Sequence, residues 1–269
     1  MLRILDQEFL STSEGHHTPV MLWGPPGVGK SQMVAQIATA HQAPVIDIRL
    51  SQMEPSDLRG IPFRVENRVE WAIPALLPDA ERHRTWGILF LDEVTSAPPA
   101  VSVAAYQLIL DRRMGEYQVP DHWAIFAAGN RQGDQGVTYT MPAPLADRFS
   151  HFELDTHLDD WVAWAYANEI DERIIAFLRF RPELLFDFDP AHNLVAFPSP
   201  RSWEFAHRGL RKFEDQPGLL RGTHRPVSDR RRVSSSMPSS TVWTRCPIRM
   251  PSWRAMRCLS PPRSTYSTR

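Results

Sequence analysis

Residues Gly24 to Ser31 match the pattern G-x-x-x-x-G-K-[ST] at every position. They follow an apolar run, Pro19 to Trp23, that predicts a buried strand, and they lead into a predicted helix from Ser31 to His41. Glycines in such a loop allow backbone N–H groups to surround phosphate oxygens, and the helix N-terminus adds a partial positive charge. Lys30 is expected to reach the β- and γ-phosphates of a nucleotide, and the Ser31 hydroxyl to bind Mg²⁺. The predicted nucleotide-binding residues of this loop are Gly24, Pro25, Pro26, Gly27, Val28, Gly29, Lys30 and Ser31.

Three polar side chains follow two other predicted strands. Asp92 and Glu93 come directly after the apolar run Ile88 to Leu91, and Asn130 comes shortly after the run Trp123 to Ala128. Behind a phosphate-binding loop, Asp92 is expected to hold Mg²⁺ through water, and Glu93 to orient and polarise the attacking water. Asn130 can position the same water. Taken alone, these residues would be interpreted as two solvated acids and a turn asparagine, but the loop favours ATP hydrolysis.

The order of the predicted elements indicates an α/β fold. Strands that alternate with helices predict a parallel sheet with helices on both faces. After Asp159 the apolar spacing is helical only, and Ser199-Pro200 is typical of an N-cap followed by proline at the first helical position. We therefore expect a small helical lid after the sheet. The five predicted strands are Pro19–Trp23, Val45–Leu50, Gly87–Leu91, Trp123–Ala128 and His151–Leu154.

A predicted hairpin interrupts this alternation of strands and helices. Residues 63–71 alternate in polarity around Glu66-Asn67, which is the pattern of two short strands and a tight turn. The hairpin could be a protruding element that faces a substrate or a partner, or it could be an ordinary surface hairpin. The sequence leaves both interpretations open.

Three motifs, in this order, resemble those of the AAA+ ATPases. Gly24 to Ser31 resembles Walker A, Ile88 to Glu93 resembles Walker B, and Ala127 to Asn130 resembles sensor 1. Met53 to Gly60 and Trp71 to Pro78 resemble the insert of the MoxR-like branch, which is of the dynein-related (AAA_5) type. The resemblance implies a P-loop AAA+ core with a five-stranded parallel sheet in the order 5-1-4-3-2, a small α-helical lid, and ATP and Mg²⁺ as cofactors.

Two arginines gain roles from the same resemblance. Leu145 to Phe149 resembles the arginine-finger segment, so Arg148 would complete the site of a neighbouring subunit, although Arg131 and Arg113 are also available for that role. Arg201 lies where the sensor 2 helix would start. A cation in the first turn of a helix is disfavoured by about 0.3–1 kcal/mol, which suggests an anionic partner such as the nucleotide. Either arginine could instead be an ordinary surface residue.

The charge of the chain is strongly asymmetric. Residues 221–269 contain eleven arginines, no lysine and a single acidic residue, Asp229, which is a net charge of +10 and leaves −11 for residues 1–220. The acidic part disfavours binding to a nucleic-acid backbone. No run approaches the roughly 18 apolar residues that a membrane helix needs, and the N-terminus lacks the pattern of a signal peptide. We therefore expect a cytoplasmic protein without a membrane segment.

The expected organisation is a nucleotide-binding domain at 1–157, an incomplete helical lid at 158–217 and an unstructured tail at 218–269. The tail contains both cysteines, Cys246 and Cys258, and has no helical or strand period. It could be a disordered basic tail. We favour a frameshift, because GC-rich back-translation of Val242 to Cys258, read one nucleotide earlier, can give an acidic, helix-capable sequence.

The resemblance also implies an assembly and a purpose. It implies a homo-oligomeric ring with six subunits, a partner with a von Willebrand A domain, and ATP turnover coupled to remodelling or maturation of another protein. The alternatives are a nucleotide-dependent binding switch with negligible turnover, a nucleic-acid motor or loader, and a non-functional truncated product. The complete set of Asp92, Glu93 and Asn130 argues against the switch.

Overall fold

The computed structural model describes residues 1–131, 133–134, 139–188 and 197–215. Its internal contacts divide the chain into two units, Met1–Asp155 and a second unit that starts at Thr156. The first unit is an α/β domain, and the regular elements described in the second are helical. The tail predicted at 218–269, its cysteines and its frameshift interpretation lie outside the described residues.

The elements of the first unit alternate between helices and strands along the chain. Its helices are α1 (Leu2–Ser13), α2 (Lys30–Ala40), α3 (Pro55–Arg59), α4 (Pro99–Asp111) and α5 (Ala143–Ala146). Its strands are β1 (Val20–Trp23), β2 (Val45–Arg49), β3 (Ile61–Val65), β4 (Arg68–Ala72), β5 (Trp86–Asp92), β6 (Arg113–Met114), β7 (Tyr117–Gln118), β8 (His122–Gly129) and β9 (Ser150–Glu153). Short 3-10 turns cover Leu50–Gln52 and Val94–Ser96.

Five parallel strands form the central sheet, in the order β2-β5-β8-β1-β9. Counted along the chain, these are the five predicted core strands in the order 5-1-4-3-2. The fold class predicted from the sequence is therefore confirmed. Because all five strands are parallel, their carboxyl ends meet at one edge, and Trp23 of β1 is paired with both Gly129 and Glu153. Ligands of open parallel α/β sheets bind at this edge.

The sheet separates two apolar layers. Along β1 the side chains alternate, so that Val20 and Leu22 pack with Leu5 of α1 and Val34 of α2, whereas Met21 packs with the α4 layer. Strands β5 and β8 lie between other strands and are buried along most of their length, which explains why they are continuous apolar runs. Each fully buried leucine or valine contributes about 1.5–3 kcal/mol. This packing fixes the strand ends that carry the polar residues.

The segment between β2 and β5 contains a capped helical turn and an exposed hairpin. Glu54 and Asp57 form a reciprocal capping box at the start of α3. Gly60 ends that helix with φ 83°, and a Cβ there would lie 1.9 Å from the Ala72 carbonyl oxygen, so only glycine fits. The following strands β3 and β4 form the predicted hairpin around Glu66, which has φ 53°. Its two strands are almost entirely exposed.

The second unit packs α6 (Leu158–Ala167), α7 (Glu172–Phe180), a 3-10 turn (Pro182–Leu185) and α8 (Pro200–Lys212) around a separate core. Trp203 of α8 is completely buried there, and its Nε1 donates to the Leu184 carbonyl oxygen at 2.8 Å. Ser199 caps α8 reciprocally with Ser202, as the Ser-Pro pattern predicts. The exposed Arg201 lies in the first turn of this helix.

The buried His207 should make the second unit sensitive to acid. Its Nδ1 accepts a hydrogen bond from the backbone N–H of Asp171, the N-cap of α7, at 3.1 Å. Burial and then Arg211 lower the pKa of His207, although Asp171 and Glu204 oppose this shift. Below its ordinary pKa of 6.5 the unfolded chain therefore binds more protons than the folded one. We expect the free energy of unfolding to fall as the pH drops from 6.5 through the lower folded value.

Hydrogen exchange of the first-turn amides of α7, measured at pH 7.5 and 5.5 and corrected for intrinsic rates, checks this expectation. In His207→Asn the amide oxygen can still accept from Asp171 but does not titrate. The variant should therefore lose most of the pH dependence of α7 protection. An equal pH dependence in wild type and variant would assign the acid sensitivity to another group.

Within the described parts of the chain, no helix is both long enough and apolar enough to cross a membrane.

Candidate functional site

The loop between β1 and α2 needs glycine at two positions. Gly27 has φ 87° and Gly29, the N-cap of α2, has φ 100°. A residue with a side chain pays about 1–2 kcal/mol for this left-handed backbone. Gly24 is restricted by space instead, because a Cβ there would lie 3.2 Å from the Leu154 carbonyl oxygen. The glycine spacing of the motif thus follows from the path of the backbone into α2.

Lys30 directs a buried positive charge into this loop. It is only 9% exposed, although it is a lysine. Its Nζ donates to the carbonyl oxygens of Gly24 at 2.5 Å and Pro25 at 3.2 Å, and to Oδ1 of Asn130 at 3.1 Å. These three contacts hold the positively charged ammonium group inside the loop. An anion entering the loop would be attracted by this charge and by the N-terminus of α2.

Ser31 and Asp92 face each other across the ends of α2 and β5. The Ser31 hydroxyl donates to Oδ2 of Asp92 at 3.0 Å, while Oδ1 of Asp92 accepts from the backbone N–H of Glu93 at 2.8 Å. Hydroxyl and carboxylate oxygens are ligands that suit Mg²⁺, which keeps several waters and is completed by substrate phosphates. The described residues contain no cluster of three metal-binding side chains. The two oxygen ligands of the Ser31–Asp92 pair suit a Mg²⁺ ion that is bound together with a nucleotide.

Asp47 adds a third carboxylate near this edge. It lies on β2, which is directly paired with β5. Partial burial, and then the negative charge of Asp92, raise the pKa of Asp47, whereas Arg49 opposes the shift. Burial is the larger cause, and the smaller contribution from the charges of Asp92 and Glu93 reflects the negative field near the ends of β2 and β5, which would favour a bound cation.

Glu93 is held by a residue that sequence reasoning missed. Its backbone is left-handed, with φ 58°, which costs a non-glycine residue of order 1–3 kcal/mol. The Ser51 hydroxyl, just after β2, donates to the Glu93 carboxylate. Ser51 has no motif of its own. Only the parallel pairing of β2 with β5 brings the two residues together, so the strand order was the signal needed to find it.

Asn130 is held through its backbone as well as its amide. The Thr95 hydroxyl accepts from the Asn130 N–H at 3.1 Å and donates to its carbonyl oxygen at 3.3 Å. Gly129 permits this contact, because a Cβ there would lie 2.8 Å from Cγ2 of Thr95 and 2.7 Å from Cε of Met21. The pattern Gly-Asn at the end of β8 therefore has a packing reason. Thr95 is the second supporting residue that the sequence did not reveal.

The candidate arginines have different surroundings. Arg148 is 57% exposed, and its ion pair with Asp111 is a long one, 4.0 Å. Arg113 on β6 is also exposed. By contrast, Arg131 forms ion pairs with Glu153 and Asp155 of its own chain. Arg201 belongs to the second unit, so the loop, the Ser31–Asp92 pair and Asn130 are assembled without it.

Comparison with known proteins gives a family match for one segment of the chain. Residues 19–149, just under half of the chain, match the model of the AAA domain of the dynein-related subfamily. Midasin of Giardia intestinalis is 28% identical over 158 residues, which are 56% of this chain but 3% of midasin. The match to the family model begins before β1 and ends just before β9, so it contains every polar residue of the site in the first unit.

Solved structures with this type of fold are more distant. A Cytophaga hutchinsonii protein described as a candidate ATPase is 20% identical, with a TM-score of 0.42, over 57% of this chain and 46% of that one. RuvB of Thermotoga maritima, as its K64R variant, is 18% identical, with a TM-score of 0.46, over 81% of this chain and 62% of RuvB. This chain thus spans less than two thirds of each relative, and these likenesses carry no argument about its substrate.

The family match and the site agree on the same part of the molecule. The matched domain contains the glycine loop, the buried Lys30, the Ser31–Asp92 pair and Asn130, all at the carboxyl edge of a 5-1-4-3-2 sheet. Residues 19–149 of this chain thus form an AAA domain of the dynein-related type, and this domain contains the site.

Proposed function

We propose that this protein binds ATP with Mg²⁺ and hydrolyses it to ADP and phosphate. The observation that carries the proposal is the contact of Lys30 with Asn130 beside the Ser31–Asp92 pair. This contact joins the phosphate-binding loop to the residue expected to position water. The residues at the strand ends therefore support a phosphoryl-transfer site.

Each residue has a distinct task in this proposal. The loop N–H groups and Lys30 bind the phosphates, and Ser31 binds Mg²⁺ while Asp92 holds it through water. When bound, Mg²⁺ would neutralise charge on the β- and γ-phosphates. Glu93 accepts a hydrogen bond from the attacking water and polarises it, and Asn130 orients that water. Proton transfer through a positioned carboxylate typically contributes about 10²–10⁴-fold to a rate.

The assembly and the purpose of turnover are also proposals. We infer a MoxR-like protein that works as a homo-oligomeric ring, with six subunits, in which Arg148 reaches the site of the neighbouring subunit. Its large exposed fraction and its long contact with Asp111 support a residue available to a second chain. Arg201 of the second unit would contact the nucleotide. The turnover would drive remodelling or maturation of a partner protein, with a von Willebrand A-domain protein as the co-acting partner.

A second candidate function is a nucleotide-dependent binding switch with negligible turnover. The hydrogen bond from Ser51 to Glu93 favours it, because Ser51 already donates to the carboxylate that would accept from the attacking water. A steady-state ATPase assay at ring-forming concentration separates the two functions. A nucleic-acid motor is disfavoured by the net charge of −11 on residues 1–220, and a salt-dependent DNA-binding titration tests it.

Mixing two inactive variants tests both hydrolysis and the ring. Arg148→Ala and Glu93→Gln should each bind ATP but turn it over slowly. In mixed assemblies some interfaces pair an intact Glu93 with an intact Arg148 of the neighbour, so ATPase activity should partly return. The measurement is phosphate release as a function of the mixing ratio, with Arg113→Ala as the matched exposed-arginine control.

Two results would count against this arrangement. If mixed assemblies form and no activity returns, while wild type diluted with either variant loses activity in proportion, Arg148 is not supplied in trans. If wild type itself releases no phosphate while binding ATP, the switch replaces the ATPase as the function.

A further inference from the structure

Arg131 joins the end of β8 to the end of β9. Its Nη1 donates to Glu153 at 3.3 Å and its Nη2 to Asp155 at 3.4 Å. Its backbone N–H donates to Asp134 at 2.8 Å. The chain neighbour on its other side is Asn130, whose amide contacts Lys30. One guanidinium therefore connects the residue beside the phosphate-binding loop with the last residue of the first unit, Asp155.

The two sides of Asn130 are anchored to different strands. On the β5 side, the Thr95 hydroxyl holds both the N–H and the carbonyl oxygen of Asn130. On the β9 side, the anchor is the Arg131 side chain. Between these strands lie β8 and β1, so the Asn130–Arg131 pair spans most of the sheet edge. The position of the Asn130 amide beside Lys30 therefore depends on the backbone conformation of Asn130 and Arg131.

Strand β9 is held by hydrogen bonds to its neighbours, whereas the ion pairs of Arg131 are weak. The Trp23 indole donates to Nδ1 of His151 at 2.8 Å, and Nε2 of His151 contacts the Ala146 carbonyl oxygen at 2.6 Å, which ties β9 to β1 and α5. These aromatic rings and the Arg131–Glu153 pair line a cleft of about 440 Å³. The side chains of Arg131, Glu153 and Asp155 are 35%, 67% and 70% exposed, so solvent screens both pairs. The ion pairs of Arg131 with Glu153 and Asp155 can therefore break while the domain stays folded.

We propose that Arg131 is a positioning residue that places the Asn130 amide by anchoring it to Glu153 and Asp155. It acts through Asn130 and does not touch the nucleotide. The link also works in the other direction, because restraint of Asn130 by bound phosphates reaches the end of β9 through Arg131. The inference rests on the proposed ATP hydrolysis for its effect on turnover, but not for its effect on β9.

A double-mutant cycle on turnover tests the link between the two sides. Arg131→Ala should lower kcat by about 10- to 100-fold, the size of effect that a displacement of about 1 Å can produce, and should leave KM for ATP within about 2-fold. Glu153→Ala with Asp155→Ala should lower kcat by a similar factor. The triple variant should be no slower than Arg131→Ala, because each change breaks the same link. Arg131→Lys should restore only part of kcat, since lysine cannot reach both carboxylates with a planar fork.

Several outcomes would overturn the proposal. If the fold decreases in kcat of the two parent variants multiply in the triple variant, Arg131 acts elsewhere, for example on a neighbouring subunit. If KM rises together with the loss of kcat, Arg131 binds nucleotide rather than placing Asn130. Arg3→Ala removes an exposed arginine from α1 and serves as the matched control. An equal loss of kcat in Arg3→Ala would show that the effect of Arg131→Ala is not specific to position 131.

Hydrogen exchange separates failure of this inference from failure of the proposed function. In wild type, Mg-ATP should slow amide exchange in residues 153–158, whether or not ATP is hydrolysed. In Arg131→Ala that protection should be lost while the affinity for ATP is unchanged. If wild type binds ATP but never hydrolyses it, the proposed function fails and this second measurement still decides the link. Equal protection in both proteins would show that Arg131 does not connect Asn130 with β9.

Discussion

Lys30→Ala is expected to abolish ATP binding at nucleotide concentrations that saturate the wild type. The ammonium group lies inside the loop, where it donates to the carbonyl oxygens of Gly24 and Pro25 and to Oδ1 of Asn130, so it is placed where phosphates would bind. Removing a charged partner from a desolvated contact typically costs about 2–5 kcal/mol, which corresponds to a loss in affinity of roughly 30- to 4,000-fold. The glycines that shape the loop are unchanged, so the first unit should remain folded.

Titration with a fluorescent ATP analogue, together with thermal melting without nucleotide, measures both parts of this expectation. The chain offers a matched control, because its only other lysine is Lys212 at the end of α8 in the second unit. Lys212→Ala should bind ATP as the wild type does. An unchanged affinity in Lys30→Ala would reject the phosphate-binding loop, and a collapsed melting temperature would point instead to a structural loss.

Glu93→Gln is expected to separate binding from chemistry. Glutamine has nearly the same size, and its side-chain oxygen can still accept the hydrogen bond from Ser51, so the strained backbone at Glu93 should keep its conformation. What disappears is the carboxylate that polarises water. Turnover should therefore fall by roughly 10²–10⁴-fold, the usual contribution of general acid–base catalysis.

Binding should survive this change, because Lys30 and the Ser31–Asp92 pair do not depend on the Glu93 carboxylate. The measurements are phosphate release under saturating Mg-ATP and the dissociation constant for ATP. Glu116→Gln, an exposed residue of the β6–β7 turn, controls for the loss of one negative charge. Wild-type turnover in Glu93→Gln would remove Glu93 from the chemistry, and loss of binding would make it a ligand-binding residue.

The expected effect of Lys30→Ala depends on local structure, whereas that of Glu93→Gln depends on tertiary structure. Lys30 is placed by its own loop and helix, so a local motif is enough to predict its position. Glu93 follows a buried strand, which predicts where its backbone ends but not what holds its carboxylate. That depends on Ser51, which is more than forty residues earlier and directly follows the neighbouring strand β2 in the short turn Leu50–Gln52.

The same distinction applies to the fold. Apolar runs predict β1, β5 and β8 within one residue, because buried parallel strands tolerate few polar side chains. The edge strands β2 and β9 contain polar residues and are also predicted within one residue. No apolar run contains information on the order of the strands in the sheet. That order was implied only by resemblance, and the pairing of β1 with both β8 and β9 establishes it. Right-handed crossover connections restrict the possible orders, but they do not choose among them.

The amino-acid sequence by itself determined the glycine loop between β1 and α2, the strand-end carboxylates, the Gly-Asn end of β8 and the capped start of α8. Each depends on neighbours within a few residues, because glycine φ angles, helix caps and strand burial are local properties. Only the tertiary structure decided that Thr95 holds Asn130, that Ser51 holds Glu93, and that Arg131 reaches Glu153 and Asp155. These contacts join residues from different strand ends, and such ends become neighbours only when the sheet has assembled.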